Sequence, residues 1–311
     1  MAHRIAVGRS VVGLRVVVAL ALLSSVVACA SPAGGGHRAA SGPTSVASST
    51  VSPDEALIAR ARTQGAQYDY EAALATLASA STEAAGSELE RVRQAKAAAV
   101  VWKDNTAISH LFYHSLVVDP KRAFTAGRQG AGFSQYMVTV SEFTDQLRQI
   151  YAKGYVLVRP QDIAAPGEDG VLRRRPIVLA PGKQPLVLSV DDVSYYEYME
   201  GKGFATNLVK AADGRVVNTY VDAAGKSTQG NFDVMPIVDD FVRQHPDFSY
   251  RGAKGVLGLT GYNGILGYRT SVRGYGDTAA TRSEQGKAKA VATAMKATAG
   301  SSPPTPGVTS T

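Results

Sequence analysis

The spacing of apolar residues predicts a helical segment early in the chain. Residues 53–105 are rich in alanine, and Leu57 and Ala61 fall on one face of a first helix. Further helices are predicted over 68–80 and 88–102, with glycines as breaks between them. We interpret this segment as a packing or spacer element, because it presents no obvious chemistry.

After this segment the pattern changes to short apolar strands that alternate with helices, which is typical of an α/β fold with parallel strands. Phe143, Leu147 and Ile150 are spaced as one helix face. The predicted elements are a strand over 108–119, a helix over 141–154 with Ser141 as its N-cap, into which residues 137–140 lead, and a strand over 155–158.

The remaining part of the chain mixes β-hairpins with one more helix and one more buried strand. Residues 203–230 contain two glycine turns and predict an inserted β-meander. A helix is predicted over 232–246 and a buried strand over 255–261. We therefore expect one α/β domain over 106–300.

An acidic pair follows a short apolar strand. Residues 186–190 read LVLSV, and Asp191 and Asp192 come directly after them. Two adjacent carboxylates are costly in a core without partners, but the carboxyl end of a strand in an α/β fold is a common place for metal ligands and general bases. The alternative is that the pair caps the N-terminus of a following helix.

Composition favours a folded domain with an ordinary surface. The chain has 311 residues, of which 45% are hydrophobic, and its formal net charge is +7. The positive charge is spread along the chain, and no stripe of basic and aromatic residues is present. We therefore expect anionic walls or membranes as partners and no nucleic acid.

The amino terminus has the pattern of an export signal. Arg4 and Arg9 precede an apolar stretch, and the stretch ends in Val-Val-Ala followed by Cys29, the only cysteine. This tetrad resembles a bacterial lipobox, so we predict a lipoprotein signal peptide over 1–28 and lipidation of Cys29. The alternative is an ordinary secretory signal with an incidental cysteine.

The predicted anchor is followed by a polar spacer. Residues 29–52 are rich in Gly, Ser, Ala and Pro, which predicts a flexible tether. We therefore expect an exported protein that is anchored to the outer face of the cytoplasmic membrane.

Several motifs, taken in order, resemble the polysaccharide deacetylase family, which has the NodB homology fold. The resemblance covers about 108–295 and looks like a lipoprotein branch found in Gram-positive bacteria. The motifs that carry it are Phe112-Tyr113-His114-Ser115-Leu116, then Phe143, Leu147, Gly154 and Tyr155, then Ser189-Val190-Asp191-Asp192, and finally the strand over 255–261.

The resemblance implies a metal-dependent hydrolase that removes acetyl groups from N-acetylated polysaccharide or peptidoglycan. It makes Asp191 the general base and Asp192 a ligand of a divalent metal, usually zinc. His114 would lie at the mouth of the pocket. The implied fold is a distorted (β/α) barrel, preceded by the helical segment and interrupted by the β-meander.

The family's His-x3-His metal motif does not follow Asp192, because His245 is the only histidine after it. His110 and His114 have this spacing, but they belong to a predicted strand. Four residues of a strand span about 13 Å, whereas zinc requires nitrogen donors at roughly 2.0–2.1 Å. These two histidines therefore cannot share one ion.

The tail over residues 301–311 reads SSPPTPGVTST, and its composition differs from that of the rest of the chain. In a shifted reading frame, each new codon takes the third base of one codon and the first two bases of the next. Read in this way from Ser302 to Thr309, the gene could encode Ala-Ser-His-Thr-Trp-Gly-His, which contains a His-x3-His motif. We hypothesise a frameshift that truncates the family domain. The expected result is an incomplete barrel with an unpaired sheet edge, which is inactive and marginally stable.

Two other functions remain open. The first is a non-catalytic lipoprotein that binds glycan or a partner. The second is a solute-binding lipoprotein, which would need two α/β lobes in a chain of this length. Zinc affinity separates the enzyme from the binding module, since a single aspartate gives a weak site and a complete ligand set gives a tight one.

Overall fold

The structure is a computed structural model that describes residues 52–299. The predictions for the signal peptide over 1–28, Cys29, nearly all of the tether and the tail over 301–311 lie outside the described residues. No helix within the described part is long and apolar enough to cross a membrane.

Ten α-helices form in the described part, and several begin at residues suited to capping. Ser52 and Glu55 form a capping box at the start of the first helix, as do Thr139 and Glu142 at the sixth. The helices are α1 (Pro53–Ala66), α2 (Tyr70–Leu77), α3 (Glu83–Ala98), α4 (Pro120–Phe124), α5 (Gly127–Tyr136), α6 (Val140–Ala152), α7 (Pro160–Ile163), α8 (Val234–Gln244), α9 (Val272–Tyr275) and α10 (Ala279–Ala299).

Eleven strands form four sheets in the same residues. The strands are β1 (Val100–Val101), β2 (Ser109–Tyr113), β3 (Tyr155–Leu157), β4 (Ala164–Pro166), β5 (Leu172–Arg174), β6 (Val178–Leu179), β7 (Gln184–Val190), β8 (Ala205–Lys210), β9 (Val216–Val221), β10 (Ser227–Gly230) and β11 (Val256–Leu257).

The buried strand β7 is the centre of the main sheet. It pairs in parallel with β2 on one side, and with β3 and then β11 along the other. Val190, its last residue, lies opposite Tyr113 of β2 and Leu257 of β11. The carboxyl ends of β2, β7 and β11 therefore meet at one edge of the sheet.

Helices cover both faces of this sheet, because successive residues of β7 point to opposite sides. Leu186, Leu188 and Val190 pack into one core with α6, α8 and α10. Val187 packs into a second core with the helical segment, in which Ile58 and Val92 are buried. The predicted helical segment is thus present, and it forms a layer of the fold.

The predicted β-meander is also present. Strands β8, β9 and β10 form an antiparallel sheet with turns at Asp213–Gly214 and Ala224–Gly225. The sheet is attached to the rest of the domain by a hydrogen bond from the Leu208 amide to the Leu266 carbonyl at 3.0 Å.

Two predictions were wrong in extent or position. The strand expected over 108–119 ends at Tyr113, and Thr139 is the N-cap of α6 in place of Ser141. The side chain of Asp119 accepts hydrogen bonds from two amides of α4, so this Asp-Pro pair starts a helix where a strand was expected to finish.

The fold is mixed α/β, and residues 52–299 form no closed barrel. Strand β2 pairs only with β7, so its other edge is open, and β11 also has one free edge within the described sheets. Leu111 and Phe112 of β2 are 38% and 61% exposed. The NodB-type barrel therefore stays a prediction.

Candidate functional site

Asp191 and Asp192 lie at the carboxyl end of β7, between β2 and β11. The amide of Asp191 donates to the Tyr113 carbonyl at 2.8 Å, and the amide of Gly258 donates to the Val190 carbonyl at 2.8 Å. A Cβ atom on Gly258 would lie 3.4 Å from Oδ1 of Asp191. The absence of a side chain at 258 thus leaves the space beside the Asp191 carboxylate open.

The backbone turns sharply at Asp192, so the two carboxylates have different neighbours. Asp192 has φ of +58°, and its carbonyl accepts a hydrogen bond from the Ser194 amide at 2.6 Å. Tyr195 also has positive φ, at +49°. Backbone in this region is uncommon for residues other than glycine and is often found at functional sites. No helix starts directly after the pair, since the next helical turn is the 3₁₀ turn Glu197–Met199, so the capping alternative is excluded.

The segment 191–203, which we call the acid loop, is held against residues 258–271, which we call the facing loop. Ser194 is fully buried, and its Oγ donates to the Gly264 carbonyl at 3.0 Å. The Arg269 guanidinium donates to the carbonyl of Tyr195 at 3.0 Å and to Glu200 at 2.5 Å. These contacts fix the shape of the acid loop from the facing loop.

Three aromatic rings from the two loops form a tyrosine surface beside the acidic pair. Tyr196 stacks on Tyr198 with ring centroids 5.3 Å apart, and it contacts Tyr262 at 5.7 Å. The hydroxyl groups of Tyr196 and Thr260 are 2.9 Å apart. Tyr196 is buried, whereas Tyr198 and Tyr262 are 42% and 69% exposed, so the surface has a fixed base and an open outer part.

The Asp192 carboxylate faces this tyrosine surface. Burial raises the pKa of the Tyr196 hydroxyl, and the hydrogen bond and negative charge of Asp192 raise it further. Burial and the charge of Asp192 likewise raise the pKa of Tyr198. Both hydroxyls are therefore neutral donors at physiological pH, close to one carboxylate.

His114 lies at the same edge of the sheet, one residue beyond the pairing of Tyr113 with Val190. Its side chain is half-buried, and its ring is 6.2 Å from that of Phe112. In the part of the chain that the structure describes, no hydrogen bond or ion pair joins His114 to Asp191 or Asp192. His110 points elsewhere, since its Nε2 is 2.9 Å from Oγ of Ser189.

The described residues do not assemble a complete zinc centre. Zinc sites in enzymes use three protein ligands and keep one position for water. Among residues 52–299, no three His, Cys, Asp or Glu side chains are close enough to hold a metal together. The acidic pair offers carboxylate oxygens for a divalent cation, and the imidazole ligands that the resemblance implies are not beside it.

Asp233, the N-cap of α8, was not predicted as part of this region. Its buried carboxylate accepts hydrogen bonds from the amides of Leu116 at 3.0 Å and Val234 at 2.8 Å. It also contacts the hydroxyl of Tyr195, which accepts a hydrogen bond from Asn218 at 2.9 Å. Burial raises the pKa of Asp233 to about 6, although these hydrogen bonds oppose the shift. Asp233 therefore joins the segment after β2 to the acid loop.

The sequence predicts the acidic pair as a candidate site but does not indicate the tyrosines that surround it. The run SYYEY over 194–198 follows the pair directly, so a visible signal existed for Tyr196 and Tyr198. No pattern in the sequence indicated that Tyr262, which is about 70 residues away, would join them.

Comparison with protein-family models, with curated proteins and with solved structures finds no match to this chain. The function is therefore inferred from the carboxyl edge of β7, where two carboxylates lie beside the tyrosine surface.

Proposed function

We propose that the carboxyl edge of β7 is the saccharide site of a polysaccharide-deacetylase-like hydrolase, whose substrate class is cell-wall or surface glycan with acetamido groups. One observation carries the proposal: Asp191 and Asp192 directly follow the central strand of a parallel sheet, beside partly exposed tyrosines. Open α/β sheets bind ligands in this position, outside the carboxyl ends of their strands.

The tyrosine surface supports a sugar as the ligand. Aromatic rings pack on the apolar faces of pyranose rings, and their hydroxyls together with carboxylates bind the polar edge. Tyr198 and Tyr262 offer exposed rings, and Asp192 lies beside the hydroxyl of Tyr196. An acetamido sugar presents both an apolar ring face and a polar edge.

The two carboxylates receive separate roles in this proposal. Asp191 is the general base, because its backbone is fixed between two strands and its carboxylate borders the space over Gly258. A carboxylate in this position accepts a proton from the water that attacks the acetamide carbonyl. Asp192 is the metal-facing carboxylate, and a divalent cation there would polarise that carbonyl.

The described residues supply only part of this machinery. Two neighbouring aspartates without imidazole partners bind a divalent cation weakly, since the affinity of such sites grows with the number of ligands. We therefore expect this chain to bind zinc weakly and to release no measurable acetate from N-acetylated glycan.

A second candidate function, a non-catalytic glycan-binding lipoprotein, is favoured by the tyrosine surface, because stacking needs no metal. The two functions share one site and differ in turnover. Under both of them the ligand packs on the exposed ring of Tyr262.

Binding and turnover by the full chain separate these functions. An N-acetylglucosamine oligomer is titrated into the protein by calorimetry, and acetate is measured with and without added zinc. Tyr262→Ala should weaken binding about twofold to tenfold, since stacking on one aromatic ring is worth ~0.5–1.5 kcal/mol. Tyr136→Ala removes an equally exposed tyrosine of α5 and should leave binding unchanged.

The outcomes are distinct. Binding without acetate release is the result that we expect of this chain, and it means that the chain itself acts as a binding module. Zinc-dependent acetate release that disappears in Asp191→Asn supports the hydrolase. The saccharide proposal is wrong if the oligomer does not bind, or if Tyr136→Ala and Tyr262→Ala weaken binding equally.

We also propose that the protein is exported and attached to the membrane through an acyl group on Cys29. The support is the sequence pattern alone: arginines, an apolar stretch, and small residues before the only cysteine. Labelling of expressing bacteria with a radioactive fatty acid should mark the chain, and Cys29→Ser should remove the label. Incorporation that persists in Cys29→Ser would contradict lipidation at this residue.

A further inference from the structure

An apolar pocket lies between the main sheet and the helices α8 and α10. Its volume is about 220 Å³, and its floor is formed by Leu188 and Val190 of β7 with Gly255 and Leu257 on the side of β11. Val190 pairs with Leu257 across the two strands, so both side chains point to the same face of the sheet. This is the face on which α8 and α10 pack.

The two helices supply apolar walls. Met235 and Val238 of α8 line one side of the pocket, and Met295 of α10 lines another. Methionine side chains are flexible and adapt to the shape of what they contact. Because these walls offer few hydrogen-bond partners, the space favours an apolar ligand over water.

The pocket is large enough for a small organic molecule. Protein interiors have few spaces larger than a water molecule, whereas an apolar cavity of roughly 150 Å³ is enough to bind benzene. Gly255 adds to the room above Leu188, since a Cβ atom at this position would lie 3.1 Å from Cδ2 of Leu188. A volume of about 220 Å³ therefore leaves room for a ligand larger than benzene.

The charged residues of the pocket leave one positive charge at its mouth. Asp239 of α8 is the only carboxylate among the described residues that line the pocket, and its Oδ1 is 2.8 Å from Nζ of Lys254. Their side chains are 19% and 23% exposed, so the two charges are held together and largely cancel. Lys296 of α10 also lines the pocket, is exposed, and forms no ion pair with another residue between 52 and 299.

We propose that this pocket binds the hydrocarbon chain of a medium-chain fatty acid, whose carboxylate lies at the mouth beside Lys296. Burial of the chain supplies most of the affinity, because each methylene group gains from leaving water. A lysine at the edge of an apolar surface keeps its ammonium group in water while its stem covers apolar atoms. One uncompensated lysine matches the single negative charge of a carboxylate.

This site is separate from the carboxyl edge of β7. None of the residues that line the pocket belongs to the acidic pair or to the tyrosine surface. The inference therefore goes beyond the proposed function, and it holds or fails whether or not the chain binds a saccharide.

Calorimetric titration of the full chain with saturated fatty acids tests the depth of the pocket. Each acid is used below its critical micelle concentration. From hexanoate upward, the affinity should rise about fourfold for each added methylene until the chain fills the pocket, and should then level off. Decanol has a chain of the same length as decanoate without its charge, and it should bind about two- to fivefold more weakly.

A pair of lysine variants tests the charge at the mouth. Lys296→Gln should weaken the binding of decanoate about two- to fivefold and leave the binding of decanol unchanged. Lys287→Gln removes the same charge from another exposed position nine residues earlier, which is on the opposite side of α10. This control should leave the binding of both ligands unchanged.

A pair of tryptophan variants tests the location of the chain. Met235→Trp reduces the room in the pocket and should weaken the binding of decanoate and of decanol at least several-fold. Phe241→Trp enlarges a half-buried side chain of α8 that contacts Tyr151 of α6 instead, and it should leave both affinities unchanged.

Three results would overturn the proposal. The first is the absence of decanoate binding. The second is an equal effect of the two tryptophan variants, which would mean that the acid binds outside the pocket. The third is equal affinity of the natural protein for decanoate and decanol, because the charge of Lys296 would then have no part in recognition and the ligand would not be an acid.

Discussion

The carboxyl group of Asp233 is buried in the fold with a strongly shifted pKa. Its folded-state pKa is about 6, raised from the ordinary value of 3.8 by burial. The folded state therefore binds this proton more tightly than the unfolded state does. The stabilising contribution of protonation is complete below about pH 4 and is lost as the pH rises through about 6.

This shift predicts a pH-dependent effect of Asp233→Asn. Asparagine keeps an acceptor oxygen for the Leu116 and Val234 amides and cannot ionise. Between pH 4 and pH 7, the free energy of unfolding of the variant should therefore rise relative to that of the natural protein by up to about 3 kcal/mol. Urea unfolding at several pH values measures this difference.

The control for this experiment is Asp145→Asn, which changes an exposed carboxylate of α6. Its stability curve should stay parallel to that of the natural protein. A parallel curve for Asp233→Asn as well would mean that Asp233 does not titrate in this range.

The guanidinium group of Arg269 is one of the links between the acid loop and the facing loop. It reaches carbonyls of both loops and the carboxylate of Glu200, and only 18% of its side chain is exposed. Lysine carries the same charge but cannot donate in several directions from a planar group. Arg269→Lys should lower the free energy of unfolding by about 1–3 kcal/mol.

Hydrogen exchange gives a local measure of the same change. Amides of the acid loop should exchange faster in Arg269→Lys, whereas Arg273→Lys alters an exposed arginine of α9 and should have no effect. Equal exchange in both variants would show that the loop is held by its other contacts.

At the level of elements, the start of α6 distinguishes two possible caps. The sequence favoured Ser141, but Thr139 accepts a hydrogen bond from the Glu142 amide at 3.2 Å, and Glu142 accepts one from the Thr139 amide at 2.9 Å. Thr139→Ala should therefore cost about 1 kcal/mol of stability. Ser141→Ala should change it by less than about 0.5 kcal/mol.

Denaturant midpoints of the two alanine variants test this assignment directly. A larger loss in Ser141→Ala than in Thr139→Ala would reverse the assignment of the cap. The two variants are matched, because Thr139 and Ser141 have similar side chains and lie two positions apart.

The elements that could be predicted are those whose secondary structure is determined by their own residues. Strand β7 is mostly apolar, and α6 has an apolar face with Phe143 and Leu147, so the sequence predicts both elements. The position of Asp191 and Asp192 followed from β7. The short helices α4 and α5 were missed, because they begin at a cap and a glycine and have little apolar periodicity.

The arrangement of the two loops could not be predicted, because it depends on contacts between distant residues. Asp192 and Tyr195 have positive φ in the acid loop, as do Asn263 and Leu266 in the facing loop. Such conformations leave no periodic signal, and tertiary contacts decide them. The tyrosine surface forms where the acid loop and the facing loop meet, so its three members can be grouped only from the structure.

At the scale of the whole molecule, the open edge of the main sheet is the feature from which we expect association between copies of the chain. Strand β2 has no partner on its outer side among the described residues, and its sequence, SHLFY, contains no lysine, arginine, proline or acid. Natural sheets protect such edges with charges, prolines or bulges. Strand β2 has none of these features, and Leu111 and Phe112 are exposed along it.

We therefore expect the full chain to self-associate as its concentration rises, through pairing of β2 edges. Phe112→Lys places a charge on this edge, which should shift association to concentrations at least several-fold higher without loss of a core contact, since the ring is 61% exposed. Tyr136→Lys adds the same charge at a residue that is 66% exposed on α5 and should leave association unchanged. Sedimentation velocity over a range of concentrations measures the shift. If the natural protein stays monomeric throughout, or if both lysine variants act alike, the edge of β2 is not the surface through which copies of this chain meet.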